Sequence, residues 1–152
     1  MIRYLLFFVV VLFASCTSQE NLYEQKQNLK KTEWHTSDYP EFDFTVADTT
    51  IAYNVYFVVR HLNTYKYNNL RVNIRRSSPL DSTFAATYNF NLGEESNWKG
   101  KQVNDLIEHR FRINEKPLIL TSVPYKYILQ HQMLDKTLTG IMSVGIRIQK
   151  AN

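Results

Sequence analysis

The side chains that most often carry out catalysis or bind metal ions are scattered in this sequence. It has four histidines, none within a few residues of another: His35, His61, His109 and His131. No carboxylate stands at the spacing that zinc sites use. No Gly-x-Ser-x-Gly motif presents a serine nucleophile, and four glycines are too few for a phosphate-binding loop. The sequence therefore predicts no enzyme, no catalytic residues, no metal site and no cofactor. One alternative stays open, a metal site assembled from histidines on separate strands.

The single cysteine, Cys16, has a sequence context that gives it a different chemistry. Arg3 precedes a short apolar run, and two small residues then lead into Cys16. This is the layout of a secretory signal peptide, and the run is too short to cross a bilayer comfortably. The junction resembles the lipobox of bacterial lipoproteins, although Phe13 stands where an aliphatic residue is usual. We predict that residues 1–15 are removed and that Cys16 is lipidated; the alternative is an ordinary signal peptide with an incidental cysteine.

The composition predicts one exported domain without disulfide bonds. The chain has 152 residues, enough for one domain after removal of the signal peptide. A single cysteine rules out an intramolecular disulfide, and 10 tyrosines with 9 phenylalanines indicate an aromatic β core. The net charge of +4 is mild and no basic run resembles a nucleic-acid-binding tract. Nucleic acid is therefore not an expected partner.

The segment after Cys16 is polar and has few apolar residues. We interpret residues 16–33 as a lipidated cysteine followed by a tether that holds the domain away from the membrane. A short helix around residues 22–29 is an alternative for part of this segment. The folded domain is then expected to span residues 34–152.

From Trp34 onward, apolar and polar residues alternate with the period of two that β-strands show. Seven or eight segments show this alternation: 42–46, 51–61, 70–75, 84–92, 110–113, 117–120, 125–131 and 142–148. Because Pro117 interrupts the pattern, the segment at 117–120 is either an edge strand or a separate strand. Both faces of 51–61 are partly apolar, which predicts a central strand. Residues 103–107 read as one helical turn. The pattern favours a single antiparallel β-sandwich, of jelly-roll or immunoglobulin-like type.

Four residues in loop-like sequence are candidates for a binding surface, namely Tyr65, Tyr67, Trp98 and Lys99. Exposed aromatic side chains beside amide and amino groups stack on sugars or anchor protein partners. Two structural alternatives stand beside this prediction. Trp98 would fold back as a plug over the open end of the sandwich, and one of the two tyrosines would belong to the core.

Several segments together resemble the gliding motility lipoprotein GldH family. The likeness covers nearly the whole mature chain, and the segment at residues 140–148 is the most specific. The segments that carry it are Tyr23-Glu24-Gln25, Trp34, Asp48-Thr49-Thr50, Tyr53-Asn54-Val55, Arg60, Tyr67-Asn68-Asn69-Leu70, Trp98-Lys99-Gly100-Lys101 and residues 140–148. The resemblance implies an envelope lipoprotein linked to gliding and to the surface-adhesin machinery associated with type IX secretion. It implies no enzymatic activity, and it favours the outer membrane, on either leaflet.

Two functional hypotheses follow, beside a purely structural envelope protein. The first is a scaffold that is held to the membrane by lipid on Cys16 and binds other envelope or motility-machinery proteins through a face or an edge strand. The second is a cell-surface carbohydrate-binding module. Coplanar, exposed rings of Tyr65, Tyr67 and Trp98 would favour sugar, and a buried Trp98 with an apolar patch elsewhere would favour a protein partner.

Overall fold

Strands make up nearly all the regular structure of this chain. The computed structural model describes residues 22–94 and 97–151, so Cys16 and the predicted signal peptide lie outside the described residues. Within these ranges there are fourteen β-strands and one 3-10 turn, Lys30–Thr32. All of the predicted strand segments form strands, and they are joined by shorter strands that the periodicity did not reveal.

Six strands form the larger sheet, and all of its pairs are antiparallel. In spatial order the first five are β1 (Leu22–Asn28), β14 (Ile141–Lys150), β4 (Ala52–Leu62), β10 (Leu106–Arg112) and β9 (Lys101–Val103). The short strand β11 (Leu118–Ile119) pairs with the start of β4. Since β4 pairs on both sides, the prediction that it is central is confirmed.

The second sheet has four antiparallel strands. In spatial order they are β3 (Glu41–Phe44), β12 (Tyr125–His131), β5 (Asn69–Ser77) and β6 (Phe84–Asn91). Two small ribbons complete the fold: β2 (Glu33–His35) with β13 (Thr137–Thr139), and β7 (Gly93–Glu94) with β8 (Asn97–Trp98). None of the described residues forms a helix long and apolar enough to cross a membrane.

The two main sheets pack face to face over an aromatic core. Alternate residues of β4, β5, β12 and β14 are buried in this core, as their period of two predicts. Phe57 of one sheet stacks on Phe90 of the other, with ring centroids 4.8 Å apart. Phe90 also stacks on Phe111 of β10 at 4.7 Å. These inter-sheet contacts confirm the predicted antiparallel β-sandwich.

The sandwich has two ends, which the loops define. We call the end at which β1 begins, at Leu22, the proximal end; β4 and β6 also begin there, at Ala52 and Phe84. We call the opposite end, where β4 ends at Leu62 and β5 begins at Asn69, the distal end. The 11 residues of β4 place the two ends about 35 Å apart.

The structure corrects the predicted extent of the tether. The sequence predicts a tether, or alternatively a short helix, for residues 22–28, but they form β1 and pair in full register with β14. The segment is polar because it is an edge strand that faces charged neighbours: Glu24 lies 2.7 Å from Arg147 and 2.6 Å from Lys26. Gly145 has no side chain, which lets the β1 backbone at Gln25 approach closely. The folded domain therefore includes residues 22–33.

The predicted helical turn at residues 103–107 is also wrong. The chain forms a tight hairpin there, because Val103 pairs with Leu106 across a two-residue turn. Asn104 has a φ of 54°, a conformation that asparagine tolerates better than most residues and that two-residue hairpins require. Local turn chemistry therefore outweighs the short apolar run that resembled a helix.

Candidate functional site

A cluster of aromatic side chains closes the distal end around His61, the last inward-facing residue of β4. Trp98 contacts the His61 ring edge-on, with centroids 4.6 Å apart and planes at 72°. Tyr65 lies 5.4 Å from the same ring, and Tyr67 lies 5.8 Å from Tyr65 with planes at 66°. The fold thus brings three of the four predicted binding residues into one cluster, in which their rings face different directions.

Tyr65 does not belong to the surface, and its prediction as an exposed binding residue is wrong. Its side chain is 4% exposed, because the turn after β4 directs it into the core, where its backbone N–H donates to Leu62 O at 3.0 Å. Its hydroxyl donates to Asn69 O at 3.4 Å. Burial raises the pKa of Tyr65. The structure thus matches the alternative in which one of the two tyrosines is core.

Tyr67 is half-buried and is tied to the loop that precedes β13. Its hydroxyl donates to a carboxylate oxygen of Asp135, and Lys66 lies 3.3 Å from the same oxygen. These two hydrogen bonds, from Tyr67 and then from Lys66, lower the pKa of Asp135. Tyr67 is therefore held in place by its neighbours and presents only part of its ring to solvent.

Trp98 is half-buried in the same cluster, and Lys99 beside it is exposed. Trp98 lies in β8 and pairs with Gly93 of β7, and the Lys99 N–H donates to Leu92 O at 2.9 Å. The short hairpin thus holds the indole over His61, which is the geometry of the plug alternative. Because the rings are neither coplanar nor all exposed, they form no flat platform on which a sugar ring would stack.

His61 and His109 form a buried pair that sequence spacing could not reveal. They are 48 positions apart, but β4 and β10 are neighbours, and their Nε2 atoms lie 3.0 Å apart with the rings stacked. Burial lowers the pKa of both rings, that of His109 to about 4, and the neighbouring His61 lowers it further. Both rings are thus neutral at pH 7, and one Nε2–H donates to the other. In residues 22–94 and 97–151 no three potential metal ligands come together.

The outer face of the larger sheet carries an ion-pair network centred on Glu108. Its carboxylate contacts Arg60 at 2.6 Å, Arg110 at 2.7 Å and Lys26 at 3.3 Å. Burial by itself would raise the pKa of Glu108, but the hydrogen bonds from Arg60 and Lys26 outweigh it and lower the pKa to about 2. The network ties β10 to β4 and β1, so it fastens the first described strand to the centre of the sheet.

Four strands form the outer edges of the two sheets, namely β1, β9, β3 and β6. Natural proteins protect such edges with charged residues, proline or bulges. Three of the edges carry charged residues: Glu24 and Lys26 on β1, Lys101 on β9, and Glu41 and Asp43 on β3. The fourth, β6, is eight residues long, reads Phe-Ala-Ala-Thr-Tyr-Asn-Phe-Asn and has no charge, proline or glycine.

The outer face of β6 is exposed along its whole length. Ala85, Thr87, Asn89 and Asn91 face solvent, and Phe84 at the proximal end is 49% exposed. An uncharged, exposed edge of this length offers unpaired backbone N–H and C=O groups to another chain. Nothing in the sequence alone marked β6, because its apolar stripe predicts an ordinary core strand and not an edge.

The fold and these sites define a class of protein: a single antiparallel β-sandwich with a closed distal end and an open strand edge. The model of the GldH lipoprotein family matches residues 21–148, and the chain belongs to this family. The match confirms the resemblance read from the sequence segments.

Two curated relatives carry corresponding names. The chain is 25% identical to the gliding motility lipoprotein GldH homolog of Christiangramia forsetii, covering 98% of this chain and 95% of that protein. It is 24% identical to the gliding motility lipoprotein GldH of Flavobacterium johnsoniae, covering 96% and 94%. These names are those of lipoproteins and not of enzymes.

Two solved structures are similar at a low level. One is a carbohydrate-binding module specific for non-crystalline cellulose, with 13% identity, a TM-score of 0.47 and coverage of 85% of this chain and 73% of that one. The other is dimeric latent PorU from Porphyromonas gingivalis, with 12% identity, a TM-score of 0.36 and coverage of 91% and 14%. Both TM-scores lie below 0.5, so neither likeness bears on function.

Proposed function

We propose that the protein is a non-enzymatic scaffold of the gliding-motility and surface-adhesin machinery that is associated with type IX secretion. It is anchored in the outer membrane by lipid and binds other envelope proteins. The names of its relatives support the role in motility. The observation that carries the scaffold role is the uncharged, exposed edge of β6.

The partner, in this proposal, is an extended segment of another envelope protein. Such a segment adds to β6 as a fifth strand of the smaller sheet, so that backbone hydrogen bonds supply affinity. Side chains of every second residue then lie along Ala85, Thr87 and Asn89 and select the partner. The small and neutral side chains on this face accept a neighbouring strand without steric or charge conflict.

The membrane anchor is the lipid on Cys16. Several acyl chains hold a protein stably where a single chain binds only marginally. Thr17, and not an aspartate, follows Cys16, which supports the outer membrane over the inner one. Leu22 follows Cys16 by six positions, so the anchored end of the chain joins the sandwich at its proximal end on the larger sheet, whereas β6 is an edge of the smaller sheet.

The test is affinity capture of the full chain from chemically crosslinked native envelopes. We expect the wild-type protein to recover a small set of envelope proteins. The double variant Ala85→Lys, Thr87→Lys places two lysines on the β6 edge and should lower that recovery at least tenfold, since edge lysines oppose strand addition. Both positions are exposed, so the fold should be kept.

The matched control is Gln27→Lys, an exposed position on the edge strand β1 of the other sheet, which should leave recovery unchanged. Cys16→Ser should abolish membrane association and with it the capture. Equal recovery by the β6 double variant and the wild type would contradict strand addition. Recovery of envelope polysaccharide in place of proteins would favour the carbohydrate-binding alternative.

A further inference from the structure

An apolar pocket lies between the two sheets at the proximal end. Its volume is about 720 Å³, within the range of about 300–1,000 Å³ that small-molecule sites occupy. Most of the residues that line it are apolar or aromatic, and both sheets contribute them: Val55, Ile74, Ala86, Tyr88, Ile113 and Leu118. The pocket is remote from the aromatic cluster of the distal end, and the proposed strand addition does not use it.

Two polar side chains in this pocket lack the partners that buried groups normally have. Among the described residues, only four buried side-chain atoms have no hydrogen bond: both ring nitrogens of His131, Arg76 Nε and the Tyr127 hydroxyl. Arg76 and Tyr127 both line the pocket, and Tyr127 is only 2% exposed. Arg76 lies opposite Tyr127 on the neighbouring strand and acts on its hydroxyl as a charge and a hydrogen-bond donor, but the hydroxyl proton and Arg76 Nε have no acceptor among the described residues, and a buried donor without a partner is costly.

Two other polar side chains of the pocket, those of Tyr88 and Asn114, are already satisfied. The Tyr88 hydroxyl donates to Ile113 O at 2.8 Å. Asn114 accepts from Val55 N at 2.7 Å and donates to Tyr53 O at 3.2 Å. Among the buried side-chain atoms of the pocket, the unpaired ones are therefore those of Arg76 and Tyr127, while the exposed side chains of Glu115 and Lys116 at its rim make no ion pair among the described residues.

The electrostatics of this corner favour an anion. None of the ion pairs among residues 22–94 and 97–151 involves Arg76, although Glu115 lines the same pocket. The guanidinium lies 5.9 Å from the centre of the Phe84 ring. Burial raises the pKa of Tyr127 to about 12, against the opposing effects of the Arg76 charge and of hydrogen bonding from Arg76. The hydroxyl therefore keeps its proton at pH 7 and is a donor.

We propose that this pocket binds a single-chain amphiphile with a carboxylate head, the class to which long-chain fatty acids belong. The carboxylate accepts hydrogen bonds from Arg76 Nε and from the Tyr127 hydroxyl, a charge-assisted arrangement that matches its two oxygens. The chain lies along the apolar walls formed by Val55, Ile113 and Leu118. A sugar is a poor fit because these walls offer it few hydrogen-bonding groups.

The position of the pocket agrees with a ligand drawn from a membrane. Leu22 starts β1 at the same end of the sandwich, and β1 lies two strands from β4, a distance of about 10 Å. The membrane anchor therefore joins the domain at the end where the pocket opens. This inference takes the lipid anchor on Cys16 from the proposed function, but it uses neither β6 strand addition nor a protein partner.

The test is photolabelling of the full lipidated protein in phosphatidylcholine nanodiscs with a long-chain fatty acid that carries a diazirine. Mass spectrometry then locates the labelled peptides. We expect labels on β6 and on residues 113–118, displaced by excess palmitate and not by methyl palmitate, which has the same chain without the charge. A diazirine-bearing phosphatidic acid is the second arm, and it distinguishes a phospholipid headgroup from a free carboxylate.

Matched variants separate recognition of the head from general hydrophobicity. Arg76→Gln and Tyr127→Phe should each lower labelling at least tenfold. Arg75→Gln is the control, because Arg75 directly precedes Arg76 in β5 and faces solvent, and it should label like the wild type. Ala86→Trp fills the pocket and should abolish labelling even if the polar variants were to disturb the fold.

Three kinds of result would overturn the proposal. One is the absence of pocket labelling in the wild-type protein. Another is displacement by methyl palmitate as efficient as that by palmitate, or unchanged labelling in Arg76→Gln, since either would show that no head group is recognised. The third is preferential labelling by phosphatidic acid, which would assign the site to a phosphate headgroup. The capture experiment on β6 is unaffected by any of these results.

Discussion

The two ends of the sandwich are built from the same strands but finished differently. At the distal end, Trp98 and Tyr65 pack on His61 and close the space between the sheets. At the proximal end the sheets stay apart, and the space between them is an apolar pocket in which Arg76 and Tyr127 have unused donors. One end is thus an extension of the core, and the other is a cavity.

The two ends differ in the side chains that their connecting segments place over the space between the sheets. The β7–β8 hairpin returns over the distal end and supplies the indole of Trp98. At the proximal end, Leu80 of the loop before β6 and Ile119 of β11 are 68% and 65% exposed and leave the space between the sheets uncovered. Exposed apolar residues alone do not distinguish the two ends, since Leu134 at the distal end is also fully exposed. Stability should therefore be concentrated at the distal end and ligand binding at the proximal end, and three predictions test this division.

The largest expected effect is that of Trp98→Ala. Removing the indole exposes His61 and leaves a cavity, and truncation of a buried tryptophan costs about 3–5 kcal/mol. Because Trp98 is only half-buried, we expect the free energy of unfolding to fall by about 3 kcal/mol. Urea denaturation followed by circular dichroism measures this loss.

The matched variant at the proximal end is Phe84→Ala. Phe84 is 49% exposed, so its truncation should cost less than about 1 kcal/mol. The test is whether Trp98→Ala lowers the free energy of unfolding much more than Phe84→Ala does. Similar small losses at Trp98 and Phe84 would show that the indole is not a plug and would return Trp98 to the binding surface.

The second prediction concerns the His61–His109 pair and acid. Burial lowers the pKa of both rings, that of His109 to about 4, whereas an unfolded histidine titrates near 6.5. Between these values the unfolded chain binds protons that the folded chain rejects, so stability falls as the pH falls from about 6.5 toward 4. We expect a loss of about 1–2 kcal/mol between pH 7 and pH 5, measured by urea denaturation at each pH.

The pH dependence of the wild-type protein's stability is compared with that of the double variant His61→Phe, His109→Phe, in which both rings of the pair are replaced by rings that do not titrate. It should lose less stability over the same interval. Some dependence should remain because burial also lowers the pKa of His131. Glu108 contributes little between pH 7 and pH 5, since both its folded pKa of about 2 and the unfolded value of about 4.3 lie below pH 5, so it stays ionised in both states. An unchanged slope in the double variant would place the acid sensitivity elsewhere.

Much of the fold could be predicted from the sequence because burial on one face leaves a period of two. That signal identified the inward faces of β5 and β12, and of β14 from Val144 onward; it failed at Met142, where the register of β14 with β4 is irregular. It failed for β1, where charged residues of an edge strand pair with neighbours and look like a tether. It also failed for residues 103–107, since two-residue turns depend on a single backbone conformation at Asn104.

The candidate sites were harder to predict than the fold, because which residues meet in them depends on the order of the strands. Aromatic residues in loop-like sequence indicated Tyr65, Tyr67 and Trp98, but periodicity does not tell a ring that covers the core from one that faces solvent. The His61–His109 contact required β4 beside β10. Arg76 and Tyr127 meet because they are partners in the register of β5 and β12, a pairing that no local pattern contains.

The smallest expected effect is the change in stability when either of two tyrosines of β12, Tyr127 or Tyr125, is replaced by phenylalanine, and we expect this change to have opposite signs at the two positions. Tyr127→Phe removes a buried hydroxyl that has no hydrogen-bond partner among the described residues, so the unliganded protein should become more stable by about 1 kcal/mol. Tyr125→Phe removes a hydroxyl that accepts from Thr121 N at 3.1 Å and lies 2.9 Å from Thr121 Oγ1, so the protein should lose about 1 kcal/mol. Thermal unfolding of both variants without ligand decides the signs. A loss of stability in Tyr127→Phe as large as that in Tyr125→Phe would show that the Tyr127 hydroxyl is already satisfied within the fold, and the proximal pocket would then have no reason to prefer a charged head group.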